Sequence, residues 1–245
     1  MNQAITYQVD SILQVLDFSA IGFLLPLLFF ILFSFYRFSE RIVYWSAIAA
    51  ILASYGSLFY FLKPLVGPHQ YYILDWFSIA QSKFQITLLI DDTCFWVLSM
   101  IHLVTLMVII FSGYYMKAEL RFEKYFAYIL FFFTAMFGLV LSNNLFLTYI
   151  FWELVGFASY ALIGFWRTKD SAILANKKAF IINRIGDLGF LAAICILFNQ
   201  FQTLNIHSIE VMLQTSPKDL PALYLASFAI LIAVIAKSAQ FPLHV

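Results

Sequence analysis

Seven apolar runs dominate this chain, at about 18–36, 42–62, 93–115, 125–142, 144–166, 173–199 and 221–241. Each approaches or exceeds the roughly 20 residues needed to cross a bilayer as a helix. A water-soluble fold has no place for them. The chain is 63% hydrophobic and 11% charged, with a mean hydropathy of +0.90, whereas a soluble domain is about a quarter charged. The fold class expected is an all-α, multi-pass membrane protein with about seven transmembrane helices. A formal net charge of +1 gives no basis for a nucleic-acid partner. Cys94 and Cys195 lie in or beside apolar runs and read as small buried side chains rather than a disulfide or metal framework. The first seventeen residues hold no Lys or Arg. The first run therefore lacks the basic flank of a signal peptide and is expected to stay in the mature protein.

Between the second and third runs lies YYILDWFSIAQSKFQITLLIDD, 71–92, rich in aromatic and β-branched residues and broken by Gln-Ser-Lys. A short β-hairpin on the membrane surface fits this stretch better than an eighth span. The spans divide into 1–124, three helices with the hairpin, and 125–245, four helices. Lys and Arg set the orientation. Arg37, Arg41, Lys117, Arg121, Lys124, Arg167 and Lys169 fall in loops on one side, against Lys63, Lys83 and Lys218 on the other. The first set marks the cytoplasmic or matrix face and places the N-terminus outside.

The remaining charges fall inside the spans. A charge at the centre of a membrane helix costs roughly 2.5–3.5 kcal/mol on insertion scales, so several in one bundle point to coordinated use. Glu153 lies near the middle of YIFWELVGFASYALIGFW. At 100° per residue, Gly156, Tyr160 and Gly164 share its face, and Phe151, Val155 and Leu162 form the opposite, lipid-facing stripe. Glycines beside the carboxylate would let a neighbouring helix approach closely. The competing role for Glu153 is a protonated acid that serves as packing glue. In NKKAFIINRIGDLGF, 176–190, Arg184 and Asp187 are i,i+3 neighbours that can pair. Lys177 shares the Arg184 stripe and Lys178 is turned about 120° from it. These charges also fit a structural ion pair, with Lys177 snorkelling to the interface. Lys237 ends a long uncharged run just before Pro242, which disfavours continued helix at Phe241. A broken helix beside a Lys is a recurrent way to build a transport site, and snorkelling is the alternative. His102, about one third into its span, suits either proton relay or hydrogen-bonded packing. Asp91 and Asp92 read as helix caps, and His69, His207 and Glu210 as solvated loop residues. Carboxylates, a guanidinium and amines on adjacent spans make a proton-transfer device that needs no redox cofactor of its own.

The motifs FWELVGFASYALIGFW, KKAFIINRIGDLGF and AKSAQFPLHV resemble the antiporter-like subunit L, or subunit 5, of respiratory complex I, the NADH–quinone oxidoreductase. The resemblance covers 70–245 well and the first two spans more loosely. It extends to the multisubunit cation–proton antiporters and to membrane subunits of inorganic-carbon uptake systems. It implies two inverted five-helix repeats, each with a broken helix, of which this chain holds an incomplete first repeat. It implies proton-transfer roles for Glu153, Lys237, Lys178, Arg184 and Asp187, with His102 a further relay candidate. Under it the partners are the other membrane subunits of complex I, the lipid bilayer and protons. NADH, FMN, iron–sulfur clusters and quinone would sit in other subunits, and the membrane would be the bacterial plasma membrane or the mitochondrial inner membrane. The family continues with an eighth span and a second repeat, so the sequence reads as part of a longer protein. An inert assembly fragment is the contrasting expectation.

Overall fold

The computed structural model describes residues 20–62, 69–79, 82–215 and 220–244. Eight α-helices follow in chain order: α1 (Leu25–Phe35), α2 (Glu40–Ser57), α3 (Asp92–Tyr115), α4 (Phe122–Leu141), α5 (Leu145–Ile163), α6 (Asp170–Phe201), α7 (Ile206–Thr215) and α8 (Leu220–Lys237). Two strands, β1 (His69–Ile79) and β2 (Ser82–Ile90), pair between α2 and α3. So short a connection allows only an antiparallel hairpin, which is the element expected at 71–92. Among the described residues, six helices are long and apolar enough to cross a membrane, and the first apolar run gives a shorter helix over Ile21–Phe35. The expected basic residues Lys63 and Lys218 lie outside the described residues, as does the start of the first run.

The chain packs as two compact units, 1–71 with 89–141 and 72–88 with 142–245. In the first, α4 is the most deeply buried span. Phe126, Phe133 and Phe137 are fully enclosed along it, with Phe33, Ile51 and Leu98 from its neighbours. Asp91 caps α3 as expected, its Oδ1 accepting from the Cys94 N–H at 2.7 Å. His102 is buried here. A carbonyl only accepts, so Nδ1–H donates to the Leu98 carbonyl at 2.7 Å. Nε2 lies 2.8 Å from the Ser54 hydroxyl, which also reaches the Gly22 carbonyl at 3.2 Å. Gly22 sits in a π-helical segment, Ala20–Leu24.

In the second unit, polar backbone gathers three corners at one end. The Asn143 N–H donates to the Thr87 carbonyl of the hairpin at 3.1 Å. The Ile206 N–H donates to the Asn143 carbonyl at 3.0 Å, and the Leu145 N–H to the Leu204 carbonyl at 2.8 Å. The packing that positions the functional residues is between α6 and α8, and it rests on small residues. A Cβ at Gly186 would meet the Ala236 Cβ at 2.6 Å, and one at Gly189 would meet the Ala229 carbonyl at 2.8 Å. Glycine and alanine let two backbones approach this closely in lipid, where apolar burial alone does not drive helices together.

Three expectations are corrected. His69 begins strand β1, and His207 and Glu210 lie on helix α7, facing each other at 3.7 Å, so none of the three is in a loop. Cys195 is exposed on α6 rather than buried. On α5 the stripe assigned to lipid is partly interior. Val155 is buried at 7% and Phe157, one residue after Gly156, is 58% exposed. Helical angles state which residues share a face, but not which faces neighbouring helices cover.

Candidate functional site

The site is built from three helices of the second unit. α5 supplies Tyr149, Trp152 and Glu153, α6 supplies Arg184 and Asp187, and Lys237 is the last residue of α8. α8 stops there, and the chain turns through Ala239 at a φ of 51° to a cis Phe241–Pro242 bond. The lysine thus stands at a helix C-terminus, where unpaired carbonyls favour a cation.

Arg184 is the cation on Glu153. Its Nη1 donates to both Glu153 oxygens at 2.6 Å. The expected Arg184–Asp187 pair is also present, at 3.8 Å, but as the longer limb. Tyr149, one turn before Glu153, donates its hydroxyl to Oε1 at 2.8 Å. The Glu153 and Arg184 side chains are 22% and 52% exposed in the isolated chain, whereas that of Asp187 is 6% exposed. Asp187 is held from α5 by the Trp152 indole N–H, at 2.9 Å from Oδ1. Lys237 donates to the Trp152 backbone carbonyl at 3.1 Å and lies 5.2 Å from the centre of the indole ring, a favourable cation–π distance. Arg184 lies similarly over Phe180, at 5.2 Å. A cavity of about 30 Å³ is lined by Glu153, Gly156, Tyr160, Asn183, Arg184 and Asp187 among others, above the roughly 10–15 Å³ that one water needs.

The structure therefore brings together four of the six expected residues: Glu153, Arg184, Asp187 and Lys237. Lys178 is exposed on α6, with no ion-pair partner among the described residues. His102 belongs to the first compact unit with both ring nitrogens engaged. Its geometry matches the hydrogen-bonded packing alternative. Sequence reasoning missed Tyr149 and Trp152. Their spacing from Glu153 is that of one helical turn and of the adjacent residue, and both aromatic tips carry a donor. That was the available signal.

Residues 142–245, which hold the entire site, match the family described as NADH:quinone oxidoreductase/Mrp antiporter, transmembrane. Residues 76–126 match the N-terminus of chain 5 of NADH–ubiquinone oxidoreductase, complex I. The chloroplastic NAD(P)H-quinone oxidoreductase subunit 5 of Piper cenocladum is 38% identical over 209 residues, covering 82% of this chain and 28% of the relative. The chain belongs to the complex I subunit 5 and antiporter-like family.

Other relatives of the same kind agree. Subunit 5 of the chloroplastic NAD(P)H-quinone oxidoreductase of Chlorokybus atmophyticus is 35% identical over 217 residues, covering 84% of this chain and 33% of the relative. The chain thus spans about a third or less of the curated relatives it matches. The antiporter-like fold extends to solved structures of low identity. A chain of the Mrp complex from a Dietzia species superimposes with a TM-score of 0.77 at 17% identity, over 94% of this chain and 24% of that one. A chain of an archaeal membrane-bound sulfane sulfur reductase gives 0.70 at 21% identity, over 92% and 34%.

Proposed function

We propose that this chain belongs to a proton-translocating membrane subunit of NAD(P)H-quinone oxidoreductase, with residues 125–245 contributing to its first antiporter-like repeat. The observation that supports this reading most is one carboxylate, Glu153, held by Arg184 and flanked by Lys237 and Asp187 on three membrane helices. A carboxylate gives up its proton beside a cation and recaptures one when the cation withdraws. Exchange of Arg184 and Lys237 as the neighbour of Glu153 would turn a movement of helix ends into proton uptake and release. Redox chemistry with NADH, FMN, iron–sulfur clusters and quinone belongs to other subunits under this reading, and the conformational signal reaches the chain through neighbouring membrane subunits. Lys178 would exchange protons with the basic face, and His102 would tie α2 to α3 as a polar clamp. That face carries Arg37, Arg41, Lys117, Arg121, Lys124, Arg167 and Lys169, which sets it toward the cytoplasm, matrix or an equivalent compartment.

The test is substitution in the intact enzyme. Glu153→Gln and Lys237→Met each lower NAD(P)H-driven proton pumping by at least tenfold while NAD(P)H oxidation by an artificial acceptor is retained. Normal pumping in both variants removes the assigned roles. The likeness to an Mrp complex chain favours a second reading, a cation–proton antiporter subunit with no redox partner. Co-purification decides between them: quinone-linked redox subunits accompany the chain under the first reading and are absent under the second.

A further inference from the structure

The Lys237 ammonium rests on helix backbone, not on a carboxylate. Its hydrogen bond goes to the Trp152 carbonyl, and among the described residues no acidic oxygen forms an ion pair with it. In an α-helix each Cβ tilts toward the N-terminus, so the side chain at i+4 covers the turn that holds the carbonyl of residue i. The residue four after Trp152 is Gly156, and a Cβ placed there would stand 2.8 Å from the Lys237 Nζ. The ammonium occupies the space that a Cβ at 156 would need. Trp152 closes the arrangement from two sides. Its carbonyl and ring face Lys237, while its indole N–H engages Asp187. The other charged groups of the cluster are Glu153 from α5 and Arg184 from α6.

We infer that Gly156 and Trp152 form a seat for the Lys237 ammonium and act as positioning residues of the proton-transfer site. The seat keeps the amine off the Glu153 carboxylate while Arg184 occupies it. This inference rests on the reading of Glu153 and Lys237 as proton carriers, but the seat itself is observable without transport. Gly156→Ala suits a helix, and the atom it displaces is the flexible end of a lysine, so the substitution removes the seat and leaves α5 in place.

The experiment is solid-state NMR on membranes carrying the protein in its native assembly, with 13C at the Trp carbonyl, 15N at the Lys Nζ and 15N-Glu. Trp152–Glu153 is the one Trp-Glu pair in these 245 residues, which narrows the carbonyl signal; its loss in Trp152→Phe assigns the Trp152 carbonyl, and Lys237→Met assigns the lysine. Dipolar dephasing between the two sites is expected in the wild type, retained in Asp187→Asn and reduced to background in Gly156→Ala. Dephasing that persists in Gly156→Ala, or that is absent from the wild type, overturns the seat. Loss in Asp187→Asn with retention in Gly156→Ala overturns it too, because charge alone would then place the amine. A proton-pumping rate at least threefold lower in Gly156→Ala supports the positioning role. A pumping rate that stays at the wild-type level while dephasing falls to background overturns that role and leaves Glu153 to its own test.

Discussion

Glu153 takes three hydrogen bonds, two from Arg184 and one from Tyr149. The Arg184 side chain is 52% exposed, so solvent or headgroup screening limits what the pair contributes. A double-mutant cycle of Glu153→Gln and Arg184→Gln, read by thermal denaturation in detergent, is expected to give a coupling of about 0.5–1 kcal/mol. A coupling several times larger would mean that the pair is dry in the assembled protein. Tyr149→Phe removes one donor and keeps the ring against Phe190, with centroids 5.8 Å apart. Its expected cost is about 1 kcal/mol, and under the proposed function pumping by the intact enzyme is expected to fall several-fold without loss of folded protein. At this scale the sequence supplied the unusual charges, because lipid makes them conspicuous. It did not supply their pairing. Arg184 was expected on Asp187 by helix spacing, and only packing of α5 on α6 made Glu153 the nearer partner.

Among the elements, α6 and α8 show most directly how local sequence sets the site. Gly186 and Gly189 bracket Asp187, and Ala229, Ala233 and Ala236 face them. The small residues that bring the helices together therefore also fix the depth of the carboxylate. Gly189→Val is expected to destabilise the second unit by about 1–3 kcal/mol through overpacking against the Ala229 carbonyl, measured as a lower denaturation midpoint. Gly56 is the matched control, because nothing lies within 4 Å of a Cβ there. At the start of α3, Asp91→Ala removes the cap on the Cys94 N–H and is expected to cost about 1 kcal/mol. The capping residue and the hairpin were legible from short-range patterns. Helix α7 was not, because its ten residues follow a polar corner and are too few to register as a membrane span.

For the whole molecule, the apolar runs and the distribution of Lys and Arg set a topology that can be tested without knowledge of the packing. Single cysteines at Lys117 and Lys169 are expected to react with an impermeant thiol reagent from one face of sealed vesicles, and one at Gln85 in the hairpin from the other. Labelling of Gln85 and Lys117 from the same face would break the alternating order of spans. The two compact units divide at 141/142, just before Asn143 and Asn144, where polar backbone interrupts two apolar helices. A boundary at 124/125 describes the proposed repeat instead of the packing, since α4 is enclosed with the helices that precede it. By itself the sequence determined that the chain crosses a membrane, which family it resembles, and which charged residues lipid would not tolerate without a use. These follow from composition and short motifs, since a bilayer sets one strict solvent rule for every residue. Only the tertiary structure decided that Arg184 and not Lys237 holds Glu153, and that Lys237 sits on the Trp152 carbonyl. Those pairings depend on side-chain reach across α5, α6 and α8, and no spacing within one helix carries that information.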